Sequence, residues 1–188
     1  MFSPMPDDGV EPDLGDHLAG IWAAGAVEPG AEGRGLRHTL PRRDHSHWFR
    51  PAWLDPLSIL ESTNARREPD LIPIRRGRMA ASPFAYFRGA AAVMAADLAA
   101  TPSTGIDVQL CGDAHVANFG VYAAPDHRLV FDLTDFDESS VGPWEWDVKR
   151  LAASAVVASV DQGRGLPTGR KVARAAVNGY RAGVRSGA

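Results

Sequence analysis

Lysine is nearly missing from this chain: among 20 basic residues only Lys149 and Lys171 are lysines, and the first 148 residues hold none. Any cationic contact made before Lys149 therefore falls to arginine, whose planar fork of donors matches carboxylates and phosphates. Cysteine is scarcer still. The single Cys111 excludes an internal disulfide. The opening MFSPMPDDGVEPD is acidic and proline-bearing where a secretory leader needs basic and then apolar residues, so the expected compartment is the cytoplasm. No apolar run nears the ~20 residues that a membrane helix requires; the best is LAASAVVASV at 151–160, and no membrane partner is expected. A basic excess is lacking too. The formal net charge of −3 argues against a nucleic-acid partner, which calls for a cationic surface to neutralise phosphates.

What is present fits a globular protein. With 188 residues, 45% hydrophobic and 23% charged, the chain can bury one core of ordinary size. Residues 1–45, rich in Gly, Pro, Asp and Glu with one apolar patch, LAGIWAAGAV, read as a loose N-terminal arm, and 46–188 as the domain. Asp55 is placed to cap a helix carrying Leu57, Ile59 and Leu60 inward, and LIPIRRGRM reads as extended. SPFAYFRGAAAVMAADLAA reads as one helix: Ser82 caps it, Pro83 takes the first position, and Phe84, Phe87, Ala91, Met94 and Leu98 recur at helical spacing. IDVQLCGD and RLVFDLTD alternate as strands, with Leu129, Phe131 and Leu133 on one face and a short strand at 119–122 between them. A further helix is expected from about Trp144, then GRGLPTGRK as a turn, then a last helix over VARAAVNGYRAGV. The fold class is α+β.

Charge is segregated along the chain. Arg66, Arg67, Arg75, Arg76, Arg78 and Arg88 face only Glu68 and Asp70 in their window, a balance of +4, whereas 132–147 carries six acids and no base, a balance of −6. Two carboxylates ~4 Å apart repel by roughly 4 kcal/mol at an effective dielectric near 20, so acids crowded beside strands call for a cation or an arginine. A divalent metal is the economical partner, and the polar knot CGDAHVANFG supplies a further ligand for it. Asn118 and Asp135 supply the oxygen ligands that suit Mg²⁺, which takes one or two protein carboxylates and completes its octahedron with phosphate and water. Asp113, five residues before Asn118, is placed to orient or deprotonate a hydroxyl, as in the catalytic loops of phosphoryl transfer. Asp137 and Glu138 are either a second metal contact or a solvated turn.

GDAHVANFG, then TDFDE, then GPWEWDVKRLA resemble the bacterial family called domain of unknown function 2252, and LIPIRRGRMAASPFAYFRGAAAVMAADLA resembles the stretch preceding them there. That family in turn resembles the protein-kinase-like superfamily, especially aminoglycoside and choline kinase-type small-molecule kinases. The resemblance implies a partial kinase-like fold, comprising the catalytic-loop strands and large-lobe helices, without a C-terminal helical half, as in a truncated copy. It also implies Mg²⁺ and ATP as cofactors and an unknown small-molecule acceptor. Carried over by position, Asp113 is the catalytic-loop aspartate, His115 the loop histidine, Asn118 and Asp135 the metal ligands with Asp137 beside them, and Asp147 the buried aspartate that braces the loop. The phosphate-binding lysine of such kinases has no counterpart here, which leaves Arg88 or one of Arg75, Arg76 and Arg78 to replace it.

Two other readings remain open from the residues. A metal-dependent phosphoesterase would use the Asp-x-His of GDAH, but the GDxxD and GNH blocks it also needs do not follow residue 115. A catalytically inactive nucleotide-binding or interaction protein is favoured by the missing lysine.

Overall fold

A computed structural model describes residues 31–186; the LAGIWAAGAV patch lies outside them. Two units separate along the chain, one ending at Pro41 and the other beginning at Arg42. In the first, helix α1 (Ala31–Thr39) occupies part of the segment expected as a loose arm.

The second unit mixes helices with two small antiparallel ladders, the α+β class that the alternating patterns predict. Asp55 caps α2 (Pro56–Asn64), its carboxylate accepting from the amides of Leu57 and Ser58. Ile59 and Leu60 lean on the core formed by Met79, Ala90 and Val93, whereas Leu57 stays exposed. LIPIRRGRM is not extended. Pro69 opens a single 3-10 turn and Pro73 sits in the first turn of α3 (Ile72–Met79), where a missing N–H and a fixed φ cost nothing.

The helix expected over 83–99 is two helices, α4 (Pro83–Gly89) capped by Ser82 and α5 (Ala91–Ala99), broken at Ala90 with φ −115° and ψ 36°. The cause lies in two distant arginines. Arg150 Nη2 donates to the Phe87 carbonyl at 2.9 Å and Arg75 Nη2 to the Gly89 carbonyl at 2.5 Å. In a continuous helix those oxygens would accept from Ala91 and Val93, four residues on.

Strand β1 (Asp107–Leu110) pairs with β4 (Ser140–Pro143), Leu110 opposite Ser140, and β2 (Phe119–Ala123) pairs with β3 (Leu129–Leu133), Val121 opposite Phe131. Leu110 is buried, but the aligned face of β3 is not. Leu129 and Phe131 are exposed, with Phe131 stacked on Phe119 at 6.0 Å. Helix α6 (Glu145–Asp161) then packs along α7 (Gly165–Ser186). GRGLPTGRK is a turn only as far as Arg164, because Pro167 is accommodated in the first turn of α7. A Cβ on the buried Gly169 would come 2.9 Å from the Val156 Cα, so the two helices approach at a glycine contact. Trp144 stacks on Tyr180 at 5.8 Å and donates to Thr104 Oγ1, and the buried Glu145 accepts from the Thr104 amide and hydroxyl, tying both helices to the chain before β1. Among the described residues no helix is long and apolar enough to cross a membrane.

Candidate functional site

The site begins where β1 ends. Leu110 and Cys111 are buried, and burial pushes the Cys111 thiol up, leaving it inert. Gly112 turns the chain with φ 81°, and a Cβ there would lie 2.0 Å from the Glu138 carbonyl oxygen, so two backbone segments meet at a position only glycine can fill. Asp147, in the first turn of α6, accepts from the amides of both Cys111 and Gly112, at 2.7 and 3.1 Å. One turn further, Arg150 is buried. Its Nε donates to Asp113 Oδ1 at 2.6 Å, its Nη2 lies 2.5 Å from the same oxygen, and its guanidinium lies over the Phe87 ring at 4.5 Å. One more turn along, Ser154 Oγ accepts from the Val116 amide at 3.0 Å. A single face of α6 thus grips the turn at three points, residues 147, 150 and 154 falling on one stripe of a 3.6-residue helix.

His115 lies beneath Asp113, with Nε2 3.6 Å from Asp113 Oδ2 and its ring edge-on to Phe84. Burial lowers its proton affinity below the ordinary histidine value; Asp113 opposes the shift, while Arg150 and Arg88 add to it. Its Nδ1 is buried without a hydrogen-bond partner. Asn118, also buried, donates through Nδ2 to the carbonyls of Asp113 and Asp135, both at 3.1 Å, and its Oδ1 accepts from Thr134 Oγ1. The amide therefore staples the Asp113 turn to the chain leaving β3. There Asp135 Oδ1 accepts from the Asp137 amide.

These segments enclose a cavity of about 240 Å³ lined by Arg67, Arg75, Arg88, Gly89, Ala91, Asp113, Asp135, Asp137 and Glu138. Of the residues the sequence singles out, Asp113, Asp135, Asp137, Glu138, Arg75 and Arg88 come together on it. The others lie elsewhere. His115 and Asn118 stand behind the lining, Asp147 borders a neighbouring cavity of about 80 Å³, Arg76 pairs with Glu61 at 2.6 Å on the surface, and Arg78 is not on the lining. Two residues of the site carry no assigned role in the sequence reading, Arg67, marked only as one of the arginine cluster, and Arg150. Arg67 reaches Glu138 at 3.5 Å across the cavity rim, a pairing between positions 71 apart that no local pattern announces. Arg150 did leave a signal, being an arginine three residues after Asp147 within the apolar run of α6.

Three of the cavity's charges are already matched, Asp113 by Arg150, and Arg67 and Glu138 by each other. Arg75, Arg88, Asp135 and Asp137 have no ion-pair partner among the described residues, although all four line the same space. No three His, Cys, Asp or Glu side chains among the described residues are grouped to hold a metal ion on their own. The donor set fits a hard cation that brings its remaining ligands with it, since Mg²⁺ keeps several waters and takes phosphate oxygens beside one or two carboxylates.

A turn clamped by one helix, with acids and arginines sharing a polar cavity beside it, defines an α+β protein with a built charged site. The chain belongs to the bacterial family of uncharacterized conserved proteins designated domain of unknown function 2252, whose family model matches residues 67–188. No curated protein and no solved structure matches it.

Proposed function

We propose that this protein is a kinase-like phosphotransferase that uses Mg²⁺ and ATP to phosphorylate a small molecule. The observation that carries the reading is the shared cavity. Asp113, held in one orientation by Arg150, looks onto the same space as the unpaired carboxylates of Asp135 and Asp137. Phosphoryl transfer asks the protein chiefly for positioning and charge. In this reading Asp135 and Asp137 hold the magnesium, which, when bound, neutralises the phosphate charge. Asp113 accepts the hydrogen bond of the acceptor hydroxyl and sets its line of attack. Asn118 fixes the distance between Asp113 and Asp135 through their carbonyls, and His115, kept neutral by burial, supports Asp113 from below. Asp147 braces the turn.

The test is turnover of Mg²⁺·ATP against a panel of hydroxyl- and amine-bearing small molecules, comparing wild type with Asp113→Asn. That substitution keeps an acceptor for Arg150, whereas alanine would strand a buried guanidinium and confound loss of chemistry with loss of folding. Phosphorylated product from wild type and a drop of about a hundredfold or more in Asp113→Asn is the expected outcome. A second reading, a nucleotide-binding protein without catalysis, is favoured by one feature, the absence of any lysine before Lys149. Saturable nucleotide binding with no product from any acceptor would select it.

A further inference from the structure

We propose that Arg75 and Arg88, with Arg67 at the rim, form an oxyanion subsite that takes a phosphate-type group without needing a metal to bridge it. The inference rests on the phosphate chemistry of the reading above and adds which side chains receive the anion. Arg75 is the central observation. It is partly buried, yet both of its contacts are to neutral oxygens, Nη1 to Asn64 Oδ1 at 3.1 Å and Nη2 to the Gly89 carbonyl. A desolvated guanidinium is normally matched by a carboxylate. Here burial and the like charge of Arg67 both disfavour its charged form, only partly offset by Glu138.

Arg88, from the last turn of α4, lines the same cavity, is exposed, and makes no hydrogen bond or ion pair among the described residues. Two cations thus share one polar space and neither has an ion-pair partner among the described residues, although Asp135 and Asp137 line it too. The forked donors of the two arginines suit two oxygens of a tetrahedral anion. The break at Ala90 adds to this arrangement. It presents the start of α5, which no side chain caps, to the cavity at Ala91, and the amides of a helix's first turn favour negative charge. The arginines that divert the Phe87 and Gly89 carbonyls make that break, so the fold produces this edge of the cavity and its charge together.

The experiment titrates sodium pyrophosphate into the full chain in EDTA at fixed ionic strength, followed by melting temperature and calorimetry. The expected result is saturable binding whose melting temperature rises with the logarithm of ligand concentration. Arg88→Gln, at an exposed and unpartnered position, should weaken it about tenfold, the value of one charge-assisted contact. Arg76→Gln, one residue from Arg75 but paired with Glu61 away from the cavity, should leave it unchanged. Competition by ATP assigns the subsite to a nucleotide's phosphate chain; pyrophosphate binding that ATP does not displace assigns it to a phosphorylated small molecule, and either upholds the subsite. No metal-free binding, or equal losses in Arg88→Gln and Arg76→Gln, overturns it. Turnover of Mg²⁺·ATP without metal-free pyrophosphate binding would sink the subsite and leave the kinase reading standing; pyrophosphate binding without turnover does the reverse.

Discussion

The two walls of the candidate site are held in opposite ways. The Asp113 turn rests on α6 through buried contacts with Asp147, Arg150 and Ser154, and Ser154 is fully buried. The facing wall hangs from the β2–β3 hairpin, whose Val121, Leu129 and Phe131 are 64%, 77% and 70% exposed, and every residue of 134–140 is exposed. One wall is a fixed reference, whereas the other is tethered mainly by the Asn118 amide and the Thr134 contacts to it. Local stability is set by buried contacts, so the difference is energetic as well as geometric. It places the expected hydroxyl-orienting group on the stiff side and the expected metal-holding groups on the compliant one.

That contrast is breakable from several directions. The largest effect is expected at Gly112. Alanine there meets the Glu138 carbonyl and a strained φ together, and urea unfolding should show a loss of roughly 3 kcal/mol or more. Gly163→Ala has a similar φ of 72° in open space and should lose only about 1 kcal/mol. Close behind comes Arg150→Leu, which leaves Asp113 without its partner and should cost about 3 kcal/mol in the same assay. Leu129→Thr on the hairpin should stay within about 0.5 kcal/mol; a hairpin substitution as damaging as Arg150→Leu would erase the distinction between the walls. A functional comparison follows. Asp135→Asn should weaken Mg²⁺·ATP binding about tenfold with little change in unfolding, while Asp113→Asn keeps binding and loses rate; equal binding defects in calorimetry would count against the division of roles.

The smallest effect is with pH. His115 and His45 both have their proton affinity lowered chiefly by burial, so the unfolded chain takes up protons first as pH falls through about 6.5. Stability should therefore decline from near neutrality downward until the folded-state values are reached. A melting-temperature series from pH 7.5 to 5 should show a shallower slope in His115→Gln if the stiff wall carries part of this dependence.

How much of this was legible in the sequence depends on whether the cause is local. The Asp55 and Ser82 caps were readable because a cap answers to amides two or three residues away. The strands around the turn were readable from their alternation, and their neighbourhood to the acids from position alone. The break at Ala90 was not, because its causes are Arg75 and Arg150, fourteen residues before Gly89 and sixty-three after Phe87. LIPIRRGRM misleads through its one proline and two isoleucines, which read as extended until Pro73 falls in a first turn. The alternation of β3 defines an apolar face, but nothing local says whether a face is covered. Among the arginines of 66–88 the sequence marked a cluster without sorting it. Tertiary pairing sorts it, sending Arg76 to Glu61 and leaving Arg75 and Arg88 on the cavity.

The stripe of Asp147, Arg150 and Ser154 makes α6 a gauge for the loop it carries. Seven residues of helix span about 10 Å, and residues 111–116 are laid against that length contact by contact. Inserting or deleting one residue between Asp147 and Ser154 would swing the later contacts about 100° around the axis, detaching part of the turn while leaving the helix intact. The two segments are thus bound to a common register, and a change of length in either is tolerated only when the other changes with it.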